Sequence, residues 1–343
     1  MGWCTTYEPD QFAAAAGGYL RSRAAENTLL LSAAQAARPE AAGWRARVPG
    51  RPQAPAPLFG WWEPPDGGDP RGAFVHDPAI PLLISGRAPE MATALAGTLA
   101  RMQRPVSGVD APTEVADAFA AAWSQRAGTA IRAHKTCRVY RLTGLPRQTP
   151  PQGMPALTGA GAWPPPQMPV TAGRLRVATA GDHALLADWL AAFAAETAER
   201  LASPSDVAAE LITDGGAFLW EIPGWRPVAL ATLTRPAAGT VRIGVVYTPP
   251  EHRHRGYAVT LLQAVSVALL TGAGPGQARG AVREVVLITD RSRSDHWGGR
   301  LGYELVGERA VLRFGPATGP VPRPTRTNAM PRLPTGPLPR LRR

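Results

Sequence analysis

Between Leu145 and Gly173 the chain reads LPRQTPPQGMPALTGAGAWPPPQMPVTAG. Proline donates nothing to a helix or a sheet ladder, and glycine loses the most freedom on ordering, so this stretch reads as a linker. Apolar patterning is clear on both sides of it. A chain of 343 residues suits two ordinary domains, each with its own core. The expected division is a first lobe at 1–145, a linker at 146–173, a second lobe at 174–315, and a Pro/Arg-rich tail at 316–343 that is expected to be disordered.

The two lobes share an order of elements. In the second, DHALLADWLAAFAAETAER places Leu185, Leu186, Trp189, Leu190 and Phe193 at helical spacing, with Asp182 as a cap, and SPSDVAAELIT reads as a short helix. AFLWEI and PVALATL read as a hairpin, TVRIGVVYT as a strand, YAVTLLQAVSVALL as a helix, EVVLITD as a strand, and GYELVG and AVLRFG as closing strands. In the first lobe helices over PDQFAAAAGGYLRSRAAENTLLLSAAQAA precede the hairpin LFGWW and GAFVH and the strand PLLIS. The helix PEMATALAGTLARM, the strand PVSGV, the helix PTEVADAFAAAWSQRAG and the strand CRVYRLTGL follow. Trp61, Trp62 and Trp220, in hairpin strands, are expected in the core or between lobes.

Composition narrows the setting. The net charge is +11, but Arg323, Arg326, Arg332, Arg340, Arg342 and Arg343 in the tail supply six of those charges with no acid between them. Lys135 is the only lysine, so the basic excess is almost all arginine. No nucleic-acid module and no aromatic-basic interleaving accompanies it, which argues against a nucleic-acid partner. Apolar residues make up 45% of the chain, yet no run of about 18 escapes charge or Pro/Gly breaks, so no membrane span is expected. Cys4 and Cys137 form neither a metal set nor a disulfide framework, and MGWCTTYEPDQF lacks the basic start of a secretory signal. It does fit the loose N-myristoylation pattern. A cytoplasmic location is the expectation.

The chemistry concentrates in TPPEHRHRGYA, from Thr248 to Ala258. It joins an apolar strand to a helix whose apolar face includes Ala258, Leu261, Leu262, Val265 and Leu269. A strand-to-helix turn ending in glycine presents unpaired amides at the positive end of a helix dipole, which is an anion site. Gly256 allows close approach of a ligand oxygen. Arg253 and Arg255 can neutralise a diphosphate. Pro249 and Pro250 remove two donors, so the strand should part from its neighbour before the turn. An ordinary solvated connection is the competing reading. His252 and His254 have no third ligand nearby in sequence, and no metal is expected.

Arg253-His254-Arg255-Gly256-Tyr257-Ala258 spells R-x-x-G-x-A. Within RIGVVYTPPEHRHRGYAVTLLQAVSVALL it resembles the pyrophosphate loop of the GNAT superfamily of acyl-CoA-dependent N-acyltransferases, and RLGYELVG resembles that family's closing segment. The resemblance covers about 174–315. The first lobe, where GRAPEMATALA lacks the loop pattern, resembles a degenerate copy. The resemblance implies an α+β fold in tandem, each lobe a mixed, mostly antiparallel sheet flanked by helices. It implies acetyl-CoA or another acyl-CoA as co-substrate, with Val246, Tyr247 and Thr248 pairing with the pantetheine arm. Arg253, His254, Arg255, Gly256, Tyr257 and Ala258 would hold the pyrophosphate. The implied reaction is direct acyl transfer to an amine of a small molecule or protein, using a base and an acid.

Catalytic residues are harder to assign. Family members commonly place a tyrosine four residues before the glycine of the closing Gly-Tyr pair, here Gly302-Tyr303; this chain has Gly298 there. His296 or a bound water is the candidate acid. Glu221 and Asp290, at strand ends, are the candidate bases, with a solvated strand-end carboxylate the plain alternative for each. The second functional class is a catalytically impaired acyl-CoA-binding regulatory module. The first lobe is expected to cover the acceptor side of the second.

Overall fold

The computed structural model describes residues 2–38, 56–64, 67–145, 172–197, 199, 201, 203–272, 282–292 and 297–316. Most of the expected linker, the tail beyond Pro316, and His296 lie outside the described residues.

The first half of the chain runs β1 (Gly2–Thr6), α1 (Pro9–Ser22), α2 (Thr28–Ala36), β2 (Leu58–Glu63), β3 (Ala73–His76), β4 (Leu82–Ser85), α3 (Pro89–Arg101), β5 (Gly108–Pro112), α4 (Thr113–Ala127) and β6 (Thr129–Leu142). The second half repeats that order as β7 (Arg174–Val177), α5 (His183–Thr197), α6 (Pro204–Thr213), β8 (Ala217–Ile222), β9 (Arg226–Leu233), β10 (Thr240–Tyr247), α7 (Tyr257–Thr271), β11 (Glu284–Asp290), α8 (Trp297–Arg300) and β12 (Glu304–Pro316). The fold is α+β, with two equivalent halves in tandem.

All strands join one 12-stranded sheet in the order β1-β2-β3-β4-β5-β12-β6-β11-β10-β9-β8-β7. Two pairs are parallel, β4 with β5 and β10 with β11; the remaining ladders are antiparallel. The last strand of each half has crossed over. β6 lies against β11 of the second half, β12 lies against β5 of the first, and the two pair with each other at the centre.

Helices cover both faces. On one, Phe12, Leu20 and Leu30 of α1 and α2 pack on Phe59, Trp61 and Val75, and Leu186, Leu190 and Ala208 of α5 and α6 pack on Leu219 and Leu230. On the other, α3 and α4 cover Phe74, Ile84 and Val109, and α7 covers Val241, Ile243 and Leu287. Trp61, Trp62 and Trp220 are buried, as their hairpin positions imply. The exchange carries polar cement: Arg309 of β12, 4% exposed, donates from Nε to Asp110 of β5 at 2.7 Å and from Nη2 to the Asp110 carbonyl.

Several elements differ from the sequence reading. β1 and β7 are short edge strands whose partly exposed side chains carry no apolar alternation. β6 begins eight residues before Cys137, because TAIRAHKT spans the sheet with little buried surface to mark it. The two closing strands are one, kinked between Leu305 and Gly307. Asp182 does cap, but backwards: its carboxylate accepts from the Thr179 amide at 2.8 Å within a capping box.

The exchange predicts that residues 1–145 and 172–343, expressed separately, each misfold or aggregate, since each lacks a central strand and exposes a long sheet edge. Co-expressed, they should copurify as one particle. Independent folding of either fragment, seen by size-exclusion chromatography and circular dichroism, would contradict this.

Candidate functional site

β10 and β11 run side by side only from Thr240↔Glu284 to Ile243↔Leu287, and beyond that the ladder stops. On its other edge β10 stays attached to β9, with Val246 opposite Ala231 and Tyr247 opposite Leu230, after an irregularity between Ile243 and Val246. That bulge turns the chain, and Thr232 Oγ1 takes the Val245 amide at 2.8 Å. The parting therefore starts at Gly244, five residues before Pro249, and the bulge is its cause rather than the prolines. It leaves the β11-facing edge of Gly244 to Tyr247 free to pair with an extended ligand.

Above the parting, a single turn at Pro250–His252 leads into the loop. His254 has φ 61° and Gly256 has φ 80°, both left-handed, which costs the histidine about 1 kcal/mol that its surroundings must offset. Gly256 is the N-cap of the 15-residue helix α7, and no side chain caps it. The first-turn amides thus face outward without intrahelical acceptors, where the helix dipole adds about half a positive charge. Arg255 and His254 are exposed beside them. Arg253 is used otherwise: its Nη2 meets both oxygens of Glu196 on α5 at 2.7 and 2.9 Å, and its Nε donates to the Thr248 carbonyl at 2.9 Å. Its guanidinium also stands 5.7 Å from the Tyr247 ring centre. Arg253 therefore ties the loop to α5. Thr248 Oγ1 and His252 Nδ1 of this turn, and Thr289 Oγ1 near the end of β11, are among the buried polar atoms that have no partner. Each costs about 1–3 kcal/mol unless a ligand or water satisfies it.

The structure separates the two candidate bases. Asp290 ends β11 on the parting, 3.8 Å from Lys135 Nζ, and its Oδ1 accepts from the Ser292 amide and hydroxyl at 2.8 and 2.6 Å. Glu221 lies on β8, two strands from β10, next to the sheet edge. It is buried, and Arg174 and Arg176 hold both its oxygens. Burial pushes its carboxyl up, but the two arginines outweigh this and keep its pKa below the ordinary value. It belongs to a structural ion cluster with Arg176 and Asp182.

Gly298 has a physical reason that the sequence did not reveal. A Cβ there would stand 2.4 Å from Cδ1 of Tyr140, so the ring of a β6 residue occupies the place of any larger side chain. Tyr140 is buried and pairs with Leu287. A crossed-over strand thus packs a tyrosine ring against position 298. Nearby, Tyr303 is tied to Ser266 at 2.7 Å, and burial raises its hydroxyl far above the usual range.

The corresponding place in the first half is closed. Only three residues separate β4 from α3. Pro89 opens that helix without an amide, and Glu90 sets a negative charge in its first turn. Where β4 outruns β5, Ser85 donates to Asn27 Oδ1 at 2.6 Å and meets the Tyr19 hydroxyl at 3.1 Å. A self-satisfied network fills the slot that stands open in the second half.

No family model matches the sequence, and no curated protein sequence does. Among solved structures, a Drosophila protein shares the fold across 92% of this chain and 99% of its own, with TM-score 0.58 and 14% identity. A GCN5-related N-acetyltransferase from Sphaerobacter thermophilus is similar over 91% of this chain and 95% of its own, with TM-score 0.49 and 17% identity. A tandem GNAT protein from the clavulanic acid biosynthesis pathway is similar over 93% of this chain and 99% of its own, with TM-score 0.43 and 15% identity. Among the described residues no helix is long and apolar enough to cross a membrane, and no group of three His, Cys, Asp or Glu could hold a metal.

The ion cluster on the outer strands sets an acid limit on stability. Arg176 hydrogen bonds hold Asp182 at about 2 against an ordinary 3.8, so its stabilisation is full above about pH 4 and is lost as pH falls through about 2. Asp182→Asn should cost about 2 kcal/mol at pH 7 and flatten the acid limb of a denaturation profile between pH 4 and 2. An unchanged limb would show that the cluster does not act as a unit.

Proposed function

We propose that the second half of this protein binds acyl-CoA and transfers the acyl group directly to an amine. The observation that carries this reading is the parting of β10 from β11 directly beneath an uncapped, glycine-led helix N-terminus. An extended pantetheine arm can pair with the free edge at Val246, Tyr247 and Thr248. A diphosphate can sit on the first-turn amides of α7 from Gly256, with Arg255 and His254 at its flank. Arg253 positions the loop through Glu196. Acetyl-CoA is the simplest donor, with an amine of a small molecule or protein as acceptor.

The transfer needs no covalent enzyme intermediate. The amine nitrogen attacks the thioester carbonyl, a C–N bond forms, and the C–S bond breaks. The amine proton leaves to a base and the thiolate takes a proton from an acid. Asp290 is the base candidate at the parting, its carboxylate steadied by Lys135. For the acid, Tyr140, whose ring packs against Gly298, is a second candidate beside His296, the sequence candidate. The first half, its own slot closed, serves as a cover: α2 lies over β10, and Ala25 packs on Val139 and Val286.

The second reading, an acyl-CoA-binding regulatory module without turnover, is favoured by Gly298 alone. Calorimetric titration of acetyl-CoA followed by a free-thiol assay against a panel of amines separates the two. Gly256→Val should abolish binding, because its left-handed φ and close approach both exclude a branched side chain. Arg255→Ala should weaken binding by about tenfold with the fold intact. Unchanged affinity in both variants would remove the loop from the site.

A further inference from the structure

Many arginines in and beside this sheet are paired with acids. Arg176 has Asp182 and Glu221, Arg309 has Asp110, Arg253 has Glu196, and Arg235 has Asp214. Arg242 has no such partner. It lies on β10 between Val241 and Ile243, which point into the α7 core, so its own side chain emerges on the opposite face, beneath α2 and α5. Its Nε is buried without a hydrogen-bond partner, and no ion pair joins it to any acid among the described residues.

Its direction is informative. Nη1 lies 3.8 Å from where a Cβ of Gly244 would stand, so the guanidinium runs forward along the strand over the first residue freed from β11. Glycine at 244 leaves that space open. The acids that act on Arg242 electrostatically are Asp110 and Glu199, and both are committed: Asp110 to Arg309 at 2.7 Å, and Glu199 to Lys135 at 3.0 Å. Glu199 also lines a groove of about 600 Å³ between Ala79 of the first half and Ala191, Ala194 and Ala195 of α5. Arg242 is therefore a strand cation at the parting whose two nearest acids are engaged by other cations.

We infer that Arg242 binds a carboxylate carried by one of the two reacting substrates at the start of the β10–β11 parting. A guanidinium keeps its charge when buried, and its planar fork matches a carboxylate, so leaving it unpaired costs stability that an anionic ligand restores. The carboxylate belongs either to the acceptor, as in an amino acid, or to the acyl group, as in a dicarboxylic acyl-CoA. The inference rests on the acyl-transfer reading for which substrates are meant, but Arg242's demand for an anion does not.

Two matched series test it by calorimetry on the full chain, in wild type, Arg242→Met and Arg242→Lys. Succinyl-CoA against butyryl-CoA probes the donor. L-amino acids against their α-carboxamides, with and without saturating CoA, probe the acceptor. The expected result is a preference of about ten- to hundredfold for the carboxylate member of one series, lost in Arg242→Met and partly kept in Arg242→Lys. Whichever series shows it identifies the source. Equal affinities in both series, or a preference that survives Arg242→Met, overturns the inference. Absence of any CoA binding defeats the acyl-transfer reading instead, and the amino-acid series without CoA still decides Arg242. A structural readout runs alongside: removing an unpaired, partly buried cation should raise the melting temperature of Arg242→Met, and a fall would mark Arg242 as a structural residue and overturn its binding role.

Discussion

The antiparallel pairing of β6 with β12 is the constraint on which the rest depends. Each strand closes the sheet of the other half, so the sheet's centre is made of the two chain segments most distant from their own lobes. Long-range pairing of this kind is slow to form, because loop closure must precede its reward. Once formed, it removes both inner sheet edges and leaves β1 and β7 as the outer ones. The buried Arg309–Asp110 pair gives the exchange a specific register, since a slip of one residue would leave a charge unpaired.

The site inherits its properties from that exchange. β11 is held from behind by β6 over Val285 to Asp290, so it cannot follow β10 when the bulge turns β10 away. The parting is thus a difference between a strand braced on one side and a strand kinked on the other. The same strand β6 delivers Tyr140 to the backbone of Gly298, and Lys135 to Asp290 and Glu199. Residues from the first half furnish the neighbourhood of a site whose loop lies wholly in the second.

The halves share their order of elements but differ in how each spends its polar groups. In the first, Ser85, Asn27 and Tyr19 satisfy one another, and Pro89 and Glu90 make the helix start hostile to anions. In the second, Thr248, Thr289 and His252 keep unsatisfied atoms, and Gly256 leaves α7 uncapped. Buried polar groups left without partners are costly, and at this opening a ligand could satisfy them, whereas similar unsatisfied atoms elsewhere in the molecule face no such opening.

The sequence alone determined the local grammar. Proline and glycine content marked the break between halves, helical and alternating periodicity placed the long elements, and R-x-x-G-x-A with its flanking strand and helix located the loop, because these signals lie within a few residues of one another. Tertiary structure decided what depends on residues far apart in the chain. It crossed β6 and β12, took Arg253 and Glu221 into ion pairs, set Tyr140 against Gly298, and left Arg242 without an acid. Periodicity states which face a side chain takes, whereas its partner on that face is fixed only when strands from distant segments come into register.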